Sequence, residues 1–505
     1  MKIFNSNPSK KYLIRLALFS MPLASILSSC GDDFLDAVPE TSVFEGSNFD
    51  TPALVVAQVN GLYATLKHAR ILGGRYQIYN DVRTEEFVNR TSNGVTALPV
   101  YNFTVGADDS YIADLWTRGY STINRANIFL KGLAENTDKV AAADATMYAA
   151  EAKFVRALAY FSMVQMFAKP YVADNGASPG LPLRLQAETS SANNALKRSS
   201  VAEVYTQILK DLDDAEAGLP GAYTGTAAAA GTLNTTRAHK STAIALKSRV
   251  YLAMGRYANV ITEANKIVSA TAPFTAPATI GGVASVPHQL QPNIATVFTT
   301  FTTSESILSA PFTDTDAPGT QNQLGYYYNA GNVEYYLNAT TGIYGNPQFT
   351  ATDARKTALT GMSNIGSAAA PNNVPILTKW SAVSPYTSWV PLIRYSEVLL
   401  NLAEAEARVG DQARALALLL AVHHRSDPTW VYAPTSQDDL INTILTERRI
   451  ELLGEGFRSN DLFRTGQPIM SRGAGSATAL ATIAPTDTRY LIPVPTTEIL
   501  TNPAF

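Results

Sequence analysis

Three glutamates, Glu447, Glu451 and Glu455, recur at intervals of four near the C-terminal end of the chain. On a helix that spacing stacks them along one flank. Paired carboxylates carry out glycoside hydrolysis, where two carboxyls face a sugar about 5–5.5 Å or about 6.5–9.5 Å apart. Here, however, the glutamates are interleaved with Arg448, Arg449 and Arg458. A guanidinium beside a carboxylate lowers its pKa, the wrong direction for a general acid. The pattern therefore reads as a structural ion-pair network of Arg394, Glu397, Glu404, Glu447, Arg448, Glu451, Arg458 and Asp461, and no catalytic residue is assigned. A glycoside hydrolase on a helical scaffold is the competing reading from another class.

The remaining chemistry-bearing side chains are dispersed. His423 and His424 are adjacent, so on a helix they point about 100° apart and do not readily share a metal; a solvated helix end is the expectation. His68, His239 and His288 stand alone. There is no GxSxG nucleophile elbow, and Gly73-Gly74 lacks the context of a phosphate-binding loop. Neither a metal nor a cofactor is implied. The formal net charge is −3, with no excess of cations to recommend nucleic acid as a partner.

Aromatic residues are the stronger binding signal. Sugar rings present flat CH faces to aromatic side chains, and their hydroxyls require polar partners. One cluster holds Tyr76, Tyr79, Asn80, Asp81, Arg83, Tyr101, Asn102 and Phe103; a second holds Tyr326, Tyr327, Tyr328, Asn329, Asn332, Tyr335, Tyr336 and Tyr344. The ligand-binding candidates are Asp81, Arg83, Tyr101, Asn102, Tyr326, Tyr327, Tyr328, Tyr335 and Tyr336. Gly325, Asn329, Gly331 and Asn332 favour a loop around the tyrosine triplet, from which its members would splay toward ligand. The bland reading is that many of these aromatics anchor loops to a core. Trp116, Trp380 and Trp389 are expected to be structural.

The elements that must position these residues are mostly helical. Periodic apolar residues predict helices over Leu54–Leu66, Tyr111–Leu133, Ala141–Phe167, Ser200–Ala217, Ala238–Met254, Tyr257–Ser269, Pro391–Val409, Gln412–His424 and Gln437–Gly454. Small residues and a tight Gly turn at Gly255, repeated at Gly410, resemble tetratricopeptide helix pairs. Leu72–Val105 and Ser269–Val390 lack a sustained helical period, apart from a short strand expected at Ser306–Phe312; long loops on a rigid scaffold are where binding residues concentrate. The alanine run Ala227–Ala230 reads as part of a loop, Gly221–Thr236. With no low-complexity linker to divide it, the chain is expected to form one body.

The first thirty residues address the chain. Lys2, Lys10, Lys11 and Arg15 precede an apolar run, Leu16–Leu27, that is shorter than the roughly 20 residues needed to span a bilayer. It ends at Leu27-Ser28-Ser29-Cys30, which resembles a bacterial lipobox, and Cys30 is the only cysteine. Cys30 is therefore the expected lipidation site, and residues 1–29 the signal peptide. Gly31-Asp32-Asp33 resembles the acidic tract that follows the cysteine in surface-exported lipoproteins of Bacteroidetes.

Six blocks in chain order carry a more specific resemblance. They are DFLD (Asp33–Asp36), WTRGYSTINRAN (Trp116–Asn127), EAKFVRALAY (Glu151–Tyr160), IRYSEVLLNLAEA (Ile393–Ala405), ERRIELLGEGFRSNDLFR (Glu447–Arg464) and YLIPVPTTEILTNP (Tyr490–Pro503). Together they resemble the SusD/RagB family, with departures at Val422–Arg425 and Thr465. The resemblance implies a mainly α fold of tetratricopeptide-like helix pairs with a loop-rich ligand-binding face. It places an N-terminal region at 30–222 and a C-terminal region at 223–505. It also implies a lipid-anchored outer-membrane protein facing the cell exterior, which captures an oligosaccharide and delivers it to a TonB-dependent SusC-like transporter. A peptide-binding member of the family is the alternative; a purely structural helical adaptor is a third reading.

Cys30→Ala is expected to abolish incorporation of a fatty-acid probe and release the protein from the membrane; continued labelling of that variant would count against lipidation at Cys30.

Overall fold

The computed structural model describes residues 48–472 and 479–505. Cys30 and the leader lie outside the described residues. Among the described residues nine helices build the scaffold: Pro52–Leu66, Ser110–Glu135, Ala142–Phe167, Val201–Gly218, Lys240–Ala253, Tyr257–Ala264, Tyr395–Val409, Gln412–His424 and Gln437–Glu451. Successive members pack side by side along the chain. The Tyr257–Ala264 helix reaches across to Tyr395–Val409, so the long segment between them is an excursion from the stack.

Local chemistry sets the helix ends. The Ser200 hydroxyl accepts from the Glu203 amide while Glu203 returns a bond to the Ser200 amide, a capping box. Asp109 and Asp411 cap their helices in the same sense. Gly255 turns the chain between paired helices at φ 68°. Gly119 lets the Ser110–Glu135 and Ala142–Phe167 helices approach closely, since a Cβ there would lie 2.2 Å from Met163 Sδ. The apolar residues of all these helices merge into one large core.

The excursions are less irregular than their composition suggests. Residues 67–109 contain short helices at Arg75–Val82 and Leu98–Asn102 and a strand at Phe87–Asn89. That strand pairs antiparallel with Tyr335–Leu337, joining the two loop segments into one face. Ser306–Ala310 pairs with Val390–Arg394, and Thr360–Asn364 with Asn373–Leu377.

Three expectations need correction. Val390–Arg394 is a strand and the helix starts only at Tyr395: the segment pairs with Ser306–Ala310, and the β-branched Val390 and Ile393 suit a pleated surface. The alanine run belongs to a helix, Ala227–Thr236, because four alanines follow the N-cap hydroxyl of Thr226. His423 is not solvated. It is fully buried, with Nδ1 2.6 Å from Glu447 Oε2.

Many charged residues of the C-terminal half are buried, and they fall into separate clusters. In the largest, Arg394 contacts Glu305 at 2.7 Å, Glu451 at 2.9 Å and Glu455 at 2.8 Å. Glu451 also receives Arg425 at 2.6 Å and Arg355 at 3.1 Å. Lys379 meets Glu455 at 2.7 Å, and Arg355 pairs with Asp353 and Glu447. A second cluster joins Glu404, Arg464, Asp461 and Arg448, whose guanidinium also donates to Asn401. Glu397 stands apart with Arg249 at 2.6 Å. Arg458 is separate again: it and Arg449 hold Glu85 and Glu86, so they tie the 67–109 segment to the scaffold.

Arginine neighbours outweigh burial at Glu404, Glu447, Glu451 and Asp461. Glu451 is held well below the usual carboxylate range by Arg425, Arg394 and Arg355 against the desolvation that opposes it. Glu404 and Glu447 are lowered likewise, and Asp461 falls to about 2 beside Arg448 and Arg464.

Two outcomes follow. Arg394→Ala removes the central cation of its cluster, leaving buried Glu305, Glu451 and Glu455 only Arg425, Arg355 and Lys379, and is expected to cost roughly 3 kcal/mol in denaturant unfolding; Arg458→Ala should cost less, because Arg458 is itself partly exposed and Arg449 still faces both of its partners. Carboxyls whose folded pKa is depressed stabilise fully above the unfolded value and lose that contribution as pH falls. Burial also brings the His239 imidazole down to about 3 and that of His288 down to about 4, so stability should begin to decline below about pH 6.5, where the unfolded imidazoles take up protons, and fall more steeply below about pH 4.5 as the carboxyls lose their charge, read by melting temperature against pH. A flat profile down to pH 3 would contradict these pairings.

Candidate functional site

The tyrosine triplet shows how the loop face is made. Leu324–Tyr328 is one short helical turn, so consecutive side chains diverge by about 100° rather than splaying from a loop. Tyr327 and Tyr328 point inward and are fully buried. Tyr328 stacks on Phe87 with ring centroids 4.7 Å apart, and Tyr327 stacks on Tyr335 at 5.9 Å. Tyr335 donates to Thr96 O at 2.7 Å and packs against Tyr101 at 5.6 Å. These five rings bind the loop segments to each other and are unavailable to a ligand.

Two further candidates are buried as well. Asp81 accepts from the Gly456 amide at 2.9 Å, and burial pushes its carboxyl well above the ordinary range. Arg83 donates to Tyr490 O at 2.7 Å. Of the nine sequence candidates, Asn102, Tyr326 and Tyr336 keep exposed surface. Tyr336 lies over Val333, Val374 and Ile376.

Tyr326 has a partner that sequence reasoning missed. Tyr386 stands nearly perpendicular to it, at 82° with ring centroids 5.7 Å apart, and both residues are partly exposed. Tyr386 takes a left-handed backbone at φ 61°, and the bare Cα of Gly325 passes beneath its ring. Asn329 donates to Trp380 O at 2.7 Å, Asn332 to Tyr326 O at 3.0 Å, and Gln323 to Pro385 O at 3.1 Å. Buried Trp380 lies under the loop that carries Tyr386. The only sequence signal for Tyr386 was its turn context, Ser384-Pro385-Tyr386. The result is a two-ring platform with amide side chains at its edge, suited to the CH face and hydroxyls of a sugar.

The carboxylates considered for hydrolysis are placed otherwise. Glu447 and Glu451 have no solvent-exposed surface and their pKa values are lowered, so neither can protonate a glycosidic oxygen. Among the described residues no group of three or more His, Cys, Asp or Glu side chains could hold a metal ion, and no helix is long and apolar enough to cross a membrane.

Comparison with known proteins gives this architecture its relatives. Residues 33–252 match a family described as starch-binding associating with outer membrane, and residues 249–505 match the SusD family. SusD-like protein P2 of Formosa agariphila is 24% identical, covering 90% of each chain. A SusD superfamily protein from Bacteroides fragilis superposes with a TM-score of 0.76 at 32% identity, over 90% of this chain and 99% of that one. One from Bacteroides thetaiotaomicron gives 0.77 at 26% identity, over 90% and 98%. A laminarin-binding SusD-like protein shares the fold, with a TM-score of 0.63 at 23% identity over 90% and 98%. The excursion-bearing helical stack, the buried arginine–carboxylate clusters and these matches along both halves lead to one assignment: the chain belongs to the SusD family, whose members are carbohydrate-binding proteins associated with the outer membrane.

Proposed function

We propose that the protein is a lipid-anchored, outward-facing member of this family that captures an oligosaccharide on the Tyr326–Tyr386 platform and passes it to a TonB-dependent SusC-like transporter. The observation that carries this reading is the partly exposed perpendicular tyrosine pair, set on a loop face where Tyr101, Tyr327, Tyr328, Tyr335 and Phe87 are consumed in holding it rigid. Tyrosine loses little rotamer entropy on binding and offers both an apolar face and a hydroxyl. The laminarin-binding neighbour supports a glycan as the ligand class. The lipobox-like Cys30 supports the anchor, and the family supports the transporter as recipient. Asn102 and Tyr336, the other candidates with exposed surface, are proposed as peripheral contacts.

A glycan array probed with the full chain identifies the saccharide, and calorimetric titration measures it. Replacing Tyr326 and Tyr386 together with Ala should weaken binding roughly tenfold to thirtyfold, at about 1 kcal/mol for each lost stacking contact, while the melting curve stays native. The triple change of Tyr326, Tyr327 and Tyr328 is a different experiment and should lower the melting temperature, since two of those rings are core. Native affinity in the Tyr326/Tyr386 variant would remove the platform from the site.

A further inference from the structure

A second concavity lies away from the tyrosine platform, between the 98–105 segment and the C-terminal stretch 488–494. Its volume is about 510 Å³, within the range of about 300–1,000 Å³ typical of ligand sites. Apolar side chains such as Phe103, Val105, Ile492 and Val494 form much of the wall. The charged residues in the lining are all cations, Arg83, Lys169, Arg198 and Arg489, with no Asp or Glu among them.

Of these cations, Arg489 is neutralised locally by Asp487 at 2.6 Å. Lys169 feels the field of Asp174 without pairing to it. Arg198 spends its guanidinium on the backbone carbonyls of Gly180 and Pro179 and so carries its charge unpaired. Arg83 is the most telling. It is 2% exposed, its Nη2 donates to Tyr490 O, and its Nε and Nη1 have no acceptor among the described residues. Arg472, also buried, sits over Tyr101 at 3.8 Å and near Phe103 at 5.2 Å, while Arg83 lies 5.7 Å from the same Phe103 ring. Burial brings each down to about 10, and at Arg83 the Arg472 charge adds to that effect. Buried Arg355, Arg394 and Arg464, by contrast, are met by carboxylates. A buried cation left without a counter-charge is costly, and an anion entering the cavity would offset that cost.

We propose that this cavity is a subsite for an oxyanion carried on a sugar ring, either a uronate carboxylate or a sulfate ester. The apolar wall receives the ring face, and the Arg83, Lys169 and Arg198 charges attract the oxyanion. This rests on the saccharide reading above and narrows it to acidic glycans.

The test is titration of the full chain with trigalacturonate, its neutral methyl ester and a 6-sulfated galactotriose, at low and high salt. One of the two anionic sugars should bind about tenfold tighter than the ester, and the preference should shrink as salt rises. Lys169→Glu and Arg198→Gln should each abolish the preference, and Tyr326→Ala should retain it. The sugar that is preferred identifies the oxyanion. If Arg198→Gln melts early, Lys169→Glu, on an exposed side chain, decides alone. Equal, Tyr326-dependent binding of acid and ester overturns this inference and leaves the platform standing. A preference for the acid that survives Lys169→Glu places the oxyanion elsewhere and also overturns it. Binding of no saccharide at all removes both this subsite and the saccharide reading.

Discussion

Arg394 is tolerable in the interior only with a full set of acceptors, and it draws them from two distant stretches of chain and from a neighbour two residues on. Glu305 comes from the start of one strand, Ser396 from the first turn of the following helix, and Glu451 with Glu455 from the end of another. Each of those carboxylates is shared in turn with Arg425, Arg355 or Lys379. The excursion that runs from residue 269 to residue 390 is thereby fixed at its strand, its short helix and its Lys379 turn to the C-terminal helices. Hydrophobic contact alone would bury these segments without choosing their register; directional pairing chooses it. The same interior charge excludes hydrolytic chemistry from Glu447 and Glu451, since what makes them good ion-pair partners makes them poor acids.

The loop face follows a different rule. Its rigidity comes from aromatic rings turned inward: Tyr101, Tyr327, Tyr328 and Tyr335 with Phe87. Surface chemistry is left to the few rings that local backbone geometry turns outward, chiefly Tyr326 and Tyr386. A ligand face of this type separates its two tasks between neighbouring residues, even within a single turn of helix.

That separation decides what could be read from sequence. The scaffold helices were legible because their apolar period is sustained over many turns, as in Ala142–Phe167 and Tyr395–Val409. The strand at Val390–Arg394 was not, because a short buried strand running straight into a helix shows no break in apolar content. In the charged clusters, the Glu447–Asp461 residues advertised themselves by density. Their partners Asp353, Arg355 and Glu305 come from segments that look like loops, and nothing local marks them. His423 was misplaced because its burial depends on Trp430 closing over the helix end, with ring centroids 3.9 Å apart. The aromatic clusters were visible as composition, but which way each ring points is set by the Leu324–Tyr328 turn and the Phe87–Asn89 pairing, and neither has a periodic signature.

The pairing of Phe87–Asn89 with Tyr335–Leu337 is short, yet it joins parts of the chain far apart in sequence. Asn338, just past it, donates to Glu85 O across 253 positions. Contacts of that separation form late, because the intervening chain must be gathered before they repay its ordering. The helices can fold from local contacts as they emerge, whereas the ribbon and the tyrosine stack behind it wait for the C-terminal half. Until then Tyr101 and Phe87 have no cover, and the incomplete chain presents an aromatic patch of the kind that invites self-association. Competence to bind therefore arrives as a single event at the end of folding, and the unfinished chain is the state most in need of a chaperone.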